Sequence, residues 1–319
     1  MNQQDFEARH REEWARLDEW LTLSARKRPA DDDFPRRYRG LCQQLALARK
    51  RRYSSGLVAE LNALVLRAHH VLYGERASGD NRWLHFLLAG FPQALRSNAR
   101  LVWLATALFV VPGLALAFAC HLDSDMIFSV MSADEVRSFE AMYDPANDRF
   151  GRERGAGTDL TMFGYYIKNN IGVSFRTFAG GILMGLGSAF FLLYNGVMIG
   201  AVAGHLNQAG LAQTFFPFVI GHGAFELTAI VFSGAAGLKL GGALIDPAGL
   251  RRIEALRLAA REAIVIMYGA FVMLVIAAFI EAFWSASAAL PEHLKYSVGG
   301  ALWLLVIVYC LFSGRRDAA

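Results

Sequence analysis

The chain has 319 residues, 55% of them apolar, with a mean hydropathy of +0.30. That is more apolar than a soluble globular domain and makes insertion into a membrane the first expectation. The formal charge of +4 is small for this length, and no basic patch is interleaved with base-stacking aromatics, which argues against nucleic acid as a partner.

Residues 1–98 are charged and carry apolar stripes at helical spacing. Phe6, His10, Trp14, Leu17 and Leu21 form one stripe; Tyr38, Leu41, Leu45 and Ala48 a second; Leu57, Leu61, Leu64, Ala68 and Leu72 a third. Loops are expected at Pro29–Pro35 and at Gly74–Asp80, which leaves about three helices, enough for a small bundle. The segment from Trp83 to Ala99, containing FPQALR, reads as an amphipathic elbow at the membrane surface. No basic stretch followed by an apolar core opens the chain, so insertion is expected to begin at the first internal span.

That span is Leu101–Cys120, an uncharged run of roughly 20 residues, enough to cross the hydrocarbon layer. An extramembrane loop follows over residues 121–170, with an amphipathic stretch at Ala133–Met142 and a Gly/Arg-rich turn at Gly151–Gly157. From Val173 the chain is apolar and rich in small residues, among them Gly181, Gly185, Gly200 and Gly204, which let helix backbones approach closely in lipid. A further span, FFPFVIGHGAFELTAIVFSGAAG, carries His222 and Glu226, and two more are expected at Ala263–Phe283 and Val298–Phe312.

Basic residues outnumber acidic ones before residue 98 and cluster again between Lys239 and Glu262 and at Arg315–Arg316. By the positive-inside rule all three belong in the cytoplasm. An even number of crossings is then required. The six-pass reading makes Gly196–Leu211 a short third crossing, but His205, Asn207 and Gln208 make it a poor span, so a broken or re-entrant helix is the alternative. The expected fold is all-α: a polytopic transmembrane bundle of five or six spans over residues 99–313, preceded by a cytoplasmic helical domain over 1–98.

His222 and Glu226 are four apart and share a helix face. A carboxylate in a span is costly, roughly 2.5–3.5 kcal/mol on insertion scales, and is therefore a functional candidate. Three readings fit the pair: a fixed hydrogen bond that locks the helix against the Asn195–Gly196 turn, a proton or ion relay, and a metal centre. For the last, only His205 and Glu281 could supply the third ligand that zinc needs. Asn169, Asn170 and Asn195 suit positions where helices begin or break, while Lys168 and Arg176 suit headgroup contact. The three cysteines, Cys42, Cys120 and Cys310, show no metal-binding spacing. There is no Walker-type loop and no GxSxG elbow. No catalytic residue, cofactor or bound metal is expected.

The run NNIGVSFRTFAGGILMGLGSAFFLLYNGVMIGAVAGH, followed by FFPFVIGHGAFELTAIVFSGAAGLKLG, resembles the signature of the stage II sporulation protein M family: an asparagine before a glycine-rich span, an NG dipeptide, and HGxxE opening the next span. The N-terminal half is similar to longer family members. Carried over by position, the motif falls on Asn170, Gly181, Gly185, Asn195, Gly196, Gly200, His222, Gly223 and Glu226. The resemblance implies an integral membrane protein without established catalysis; the founding member is a membrane assembly factor that recruits peptidoglycan-degrading partners during engulfment.

The leading expectation is therefore a non-enzymatic scaffold in a bacterial cytoplasmic membrane, its N-terminus cytoplasmic, in contact with the lipid bilayer and with other envelope proteins. Self-association through the glycine surfaces is a further expectation. A transporter or channel subunit using Asn195, His222 and Glu226, and a metal-dependent intramembrane hydrolase, are the competing classes.

Overall fold

The computed structural model describes residues 2–23, 31, 33–73, 82–145, 156–287 and 290–315. The loop expected at Gly74–Asp80, residues 29, 30 and 32 of the Pro29–Pro35 loop and most of the Gly151–Gly157 turn lie outside them. The described residues are helical throughout and form two compact units, residues 1–83 and 84–319.

The first unit contains α1 (Gln3–Thr22), α2 (Phe34–Lys50) and α3 (Ser55–Tyr73). Its core is the three stripes brought face to face: Phe6, Trp14, Leu17 and Leu21 against Leu41, Leu45 and Ala48 and against Leu57, Leu61, Leu64 and Ala68. Asn2 caps α1 by accepting the Asp5 amide at 2.8 Å, and the neighbouring Gln3 side chain accepts the Ser54 amide at 2.9 Å, tying the start of α1 to the start of α3. Trp14 Nε1 donates to Gln44 Oε1 at 2.6 Å, so the indole is buried without losing its hydrogen bond. Leu61 is wholly buried. Leu61→Ala is expected to cost about 2–5 kcal/mol, visible as faster amide hydrogen exchange across residues 3–73 of the full-length chain; unchanged exchange would refute this packing.

The second unit begins with a bent elbow: the end of α4 (Arg82–His85), a π-helical turn at Phe86–Gly90, and α5 (Phe91–Ser97). On sequence grounds the elbow belongs with the first domain, yet Phe91 and Leu95 are buried in the core of the second unit. Phe91 drops onto Gly269 and meets Phe232 edge-on at 5.9 Å. Arg96 donates to the Cys310 carbonyl at 3.0 Å and Gln93 to that of Gly314 at 2.9 Å.

There follow α6 (Ala99–Leu122), a 3-10 turn at Ser124–Ser129, α7 (Ala133–Tyr143), α8 (Ala156–Ala179), α9 (Leu186–Gln208), α10 (Ala212–Ile245), α11 (Arg252–Phe279), which continues as a π-helical turn through Ile280–Ser285, and α12 (Glu292–Phe312). Among the described residues, five helices are long and apolar enough to cross a membrane: α6, α9, α10, α11 with its π extension, and α12. Helix α10 is apolar around most of its circumference and lies at the centre, buried against neighbours on several sides.

The stretch Gly196–Leu211 is not a separate short crossing. Helix α9 runs through Asn195–Gly196 without a break, because Asn195 Nδ2 closes back on the Phe191 carbonyl at 2.7 Å and leaves the ladder intact. The chain reverses upstream instead, at Gly180–Gly185, where Gly185 adopts φ +84° and Met184 φ +53°. The apolar run starting at Val173 is thus divided between the end of α8 and the start of α9.

Helix α8 carries Asp159, Lys168 and Arg176 and is amphipathic, but it lies along the spans. Near its start Phe163 meets Phe279 and Phe283, at 6.4 and 6.0 Å between ring centres. Near its end the Thr177 carbonyl accepts the Ser188 hydroxyl at 2.6 Å, while the Phe178 carbonyl lies against Gly237. The bundle therefore has six legs. One end gathers Asn98, the Gly180–Gly185 reversal, Lys239 and Glu262: Lys239 Nζ donates to Asn98 Oδ1 at 2.7 Å and pairs with Glu262 at 2.6 Å. The other end carries α7, where Thr214 donates to the Tyr143 carbonyl at 2.6 Å and His205 Nε2 meets Glu140 Oε1 at 2.8 Å.

The tightest seam joins α6 to α9. A Cβ placed on Gly196 would sit 2.1 Å from the Phe109 carbonyl oxygen, on Gly200 2.0 Å from that of Gly113, and on Gly204 2.1 Å from that of Ala117. Backbone touches backbone over three successive turns, because hydrogen is the only side chain that fits there.

Candidate functional site

The polar site is assembled from three legs. Helix α10 presents His222 and Glu226 one turn apart on one face. The π-helical turn that ends α11 presents Glu281 and Ser285. A π turn re-aims side chains relative to the α-helix before it, and such turns recur at functional sites. Helix α8 contributes Asn170, only 3% exposed.

These groups converge. One ligand atom each from His222, Glu226 and Glu281 lies within 4.8 Å of the others. The His222 ring is held by Nδ1, which is 3.0 Å from Ser285 Oγ, and is flanked edge-on by Phe218 at 5.2 Å. Phe218 in turn packs at 6.0 Å against Tyr143 of α7, so α7 closes the site from its end of the bundle. Tyr143 is buried, which raises its phenol above the usual range, and the charges of Glu281 and Glu226 push the same way. Asn170 lies alongside both carboxylates. Its Oδ1 accepts from Asn169 Nδ2 at 3.1 Å, but its own Nδ2 and Glu281 Oε2 are buried without a well-formed hydrogen bond. Two acidic side chains, an imidazole and an amide thus share a low-dielectric interior, and part of their bonding capacity is unused.

The residues singled out in the sequence separate into two groups. Asn170, His222 and Glu226 come together. Asn195 and Gly196 do not form a polar turn: the asparagine is bonded to its own helix and the glycine belongs to the α6 seam. Gly181, Gly200 and Gly204 lie at close approaches, a Cβ on Gly181 standing 2.1 Å from the Gly237 carbonyl oxygen, whereas Gly185 is required by its φ of +84°. Gly223 meets nothing closer than 3.5 Å and has room for a methyl group. Of the two additional ligands considered, Glu281 joins the site and His205 is engaged with Glu140. Ser285 had no signal in the sequence, since a lone serine at the end of an apolar helix is unremarkable until the α10–α11 hairpin places it beside His222.

Five apolar spans, an amphipathic sixth leg and a polar cluster buried among three of them define a polytopic helical membrane protein with a separate helical domain. The sequence model of the stage II sporulation protein M family matches residues 99–286, more than half of the chain, and the chain belongs to that family. A second model, Domain of unknown function (DUF8413), matches residues 4–74, covering α1 from its second residue, α2 and the whole of α3. Among curated proteins, an uncharacterized protein of Methanocaldococcus jannaschii, MJ0793, is 31% identical over 75 residues, which are 23% of this chain and 42% of that protein. The chain therefore spans less than half the length of that relative. No solved structure matches.

Proposed function

We propose that this protein is a non-enzymatic scaffold of a bacterial cytoplasmic membrane, with a rigid bundle that carries an extramembrane segment on each side. The observation that carries the reading is the α6–α9 seam. Three successive backbone-on-backbone contacts leave no side chain to rearrange, so the pair is suited to transmitting position rather than to opening. Its two ends lead directly into the candidate docking elements: the elbow enters α6 at Asn98, and α6 leaves through the 3-10 turn into α7.

Orientation follows from charge. Arg96, Arg100, Arg251, Arg252, Arg257 and Arg261 all lie toward the Lys239 end, which the positive-inside rule assigns to the cytoplasm. With α8 as the sixth crossing, the N-terminal unit and the C-terminal tail share that side and α7 faces outward. On α7, Ser132 and Glu135 form a reciprocal capping box, Glu135 accepting the Ser132 amide at 2.9 Å, so the segment is a pre-formed helix. A conduit built on Asn195, His222 and Glu226 is disfavoured because Asn195 has committed its donor to α9.

A photo-cross-linking residue placed in living cells at exposed Arg137 of α7, or at exposed Arg16 of α1, should give discrete adducts with different proteins, and removal of residues 1–83 should abolish only the second set. The reading fails if neither position yields an adduct and cells carrying the truncated chain behave as wild type.

A further inference from the structure

The structure assigns to His222, Glu226 and Glu281, joined by Asn170, a binding site for a divalent first-row transition-metal ion that staples α8, α10 and α11 together. The inference is independent of the scaffold reading.

Four observations support it. First, the three ligand-type side chains come from two helices and already have ligand atoms within 4.8 Å of one another. An ion with bonds of ~2.0–2.2 Å would draw the most distant pair together by roughly an ångström, which side-chain rotation can supply. Second, the imidazole is oriented. With Nδ1 on Ser285 Oγ at 3.0 Å, Nε2 is the nitrogen offered to a metal, the arrangement in which a second group fixes tautomer and ring plane. Third, Asn170 is nearly fully buried beside both carboxylates, and neither its Nδ2 nor Glu281 Oε2 makes a hydrogen bond of good geometry. Of the four buried side-chain polar atoms so left among the described residues of the bundle, two lie here, the others being Ser174 Oγ and His205 Nδ1, and reorienting the Asn170 amide would bring its carbonyl to the ion. Fourth, the charge balances: two carboxylates in a low-dielectric interior repel each other, and one divalent cation neutralises both.

The donor set also indicates the class of ion. An imidazole is a poor ligand for Mg2+ and Ca2+, and no thiolate is among the three groups to favour Cu+; one nitrogen with carboxylate oxygens suits Zn2+, Fe2+ or Mn2+. The competing solution to the same electrostatic problem is a proton shared between Glu226 and Glu281, with no metal.

The test uses the full-length chain in detergent, its affinity tag removed, stripped with chelator and then loaded with Co2+ as a spectroscopic stand-in. One equivalent of Co2+ is expected to bind with ligand-field absorption in the visible, to be displaced by Zn2+, and to raise the thermal midpoint. Glu281→Gln, nearly isosteric, should lose that equivalent while eluting as a monodisperse species. Ser285→Ala should keep the stoichiometry and weaken affinity about 10–100-fold. If the stripped wild-type chain binds no equivalent of Co2+, or if Glu281→Gln retains as much as wild type, the carboxylates hold a proton and the proposal is overturned. The wild-type titration decides this even if a variant fails to fold.

Discussion

Gly200→Leu should prevent the protein from folding to a monodisperse species, and Gly200→Ala should already lower its thermal midpoint sharply. A methyl group on Gly200 would lie 2.0 Å from the Gly113 carbonyl oxygen and 2.7 Å from its carbon. Both belong to the facing backbone, so nothing flexible can turn aside. Relief requires α6 and α9 to separate, and because apolar helices in lipid are held largely by close packing rather than by exclusion of water, separation sacrifices the interaction itself. Overpacking in soluble cores costs typically ~1–3 kcal/mol; a backbone-on-backbone seam should sit at the top of that range for alanine and exceed it for leucine. Gly113→Ala provides the internal scale, since its methyl group would stand 2.8 Å from the Gly196 carbonyl oxygen, so the damage should be smaller. Fluorescence-detected size exclusion and thermal denaturation in detergent would rank the variants. Equal midpoints for Gly200→Ala and wild type would mean the seam is not as close as described.

Phe91→Ala is expected to detach the elbow. The ring is 1% exposed and fills the space left by the missing side chain of Gly269, against Phe232 and, at 6.2 Å, Tyr309. Truncating a buried phenylalanine costs about 3–5 kcal/mol once the cavity is counted. The local consequences should be larger than the global ones, because the bonds from Arg96 and Gln93 to the carbonyls of Cys310 and Gly314 depend on the same docking. Protease cleavage within residues 84–97 should accelerate in Phe91→Ala, whereas Leu88→Ala, at an exposed position, should leave it unchanged. Equal cleavage of both variants would show that the elbow is held by its polar bonds alone.

How legible these features were in the sequence depended on the range of the signal. The three stripes of the N-terminal unit could be read because helical periodicity is local, and each stripe became a core face. The position of the chain reversal could not. Asn-Gly is a turn signal when water competes for the backbone, but within a span the Asn195 amide finds its own i−4 carbonyl and Gly196 serves as a contact surface, so the pair reads the same in either role. The actual reversal at Gly180–Gly185 lies inside an apolar run with no hydropathy minimum to mark it. The polar residues of α8, from Asp159 to Asn170, likewise concealed a leg of the bundle within what reads as a loop. His222 and Glu226 were legible as a pair through their spacing, but Glu281 and Ser285 lie more than fifty residues further along and reach them only through the antiparallel return of α11 and its π turn.

Helix α10 and the α11 leg are each 34 residues long, about 50 Å at ~1.5 Å per residue, against ~30 Å of hydrocarbon. Lys239, tied to Asn98 and Glu262, marks the polar end of the bundle, and the last turns of α10 and the first turns of α11 run on beyond it. The connecting bend, with Ala248 at φ +50° and Gly249 at φ +82°, is consequently carried on a two-helix mast beyond that polar end. A spin label or fluorophore attached at Asp246 would therefore report the tilt of the whole bundle without touching any of its packed interfaces.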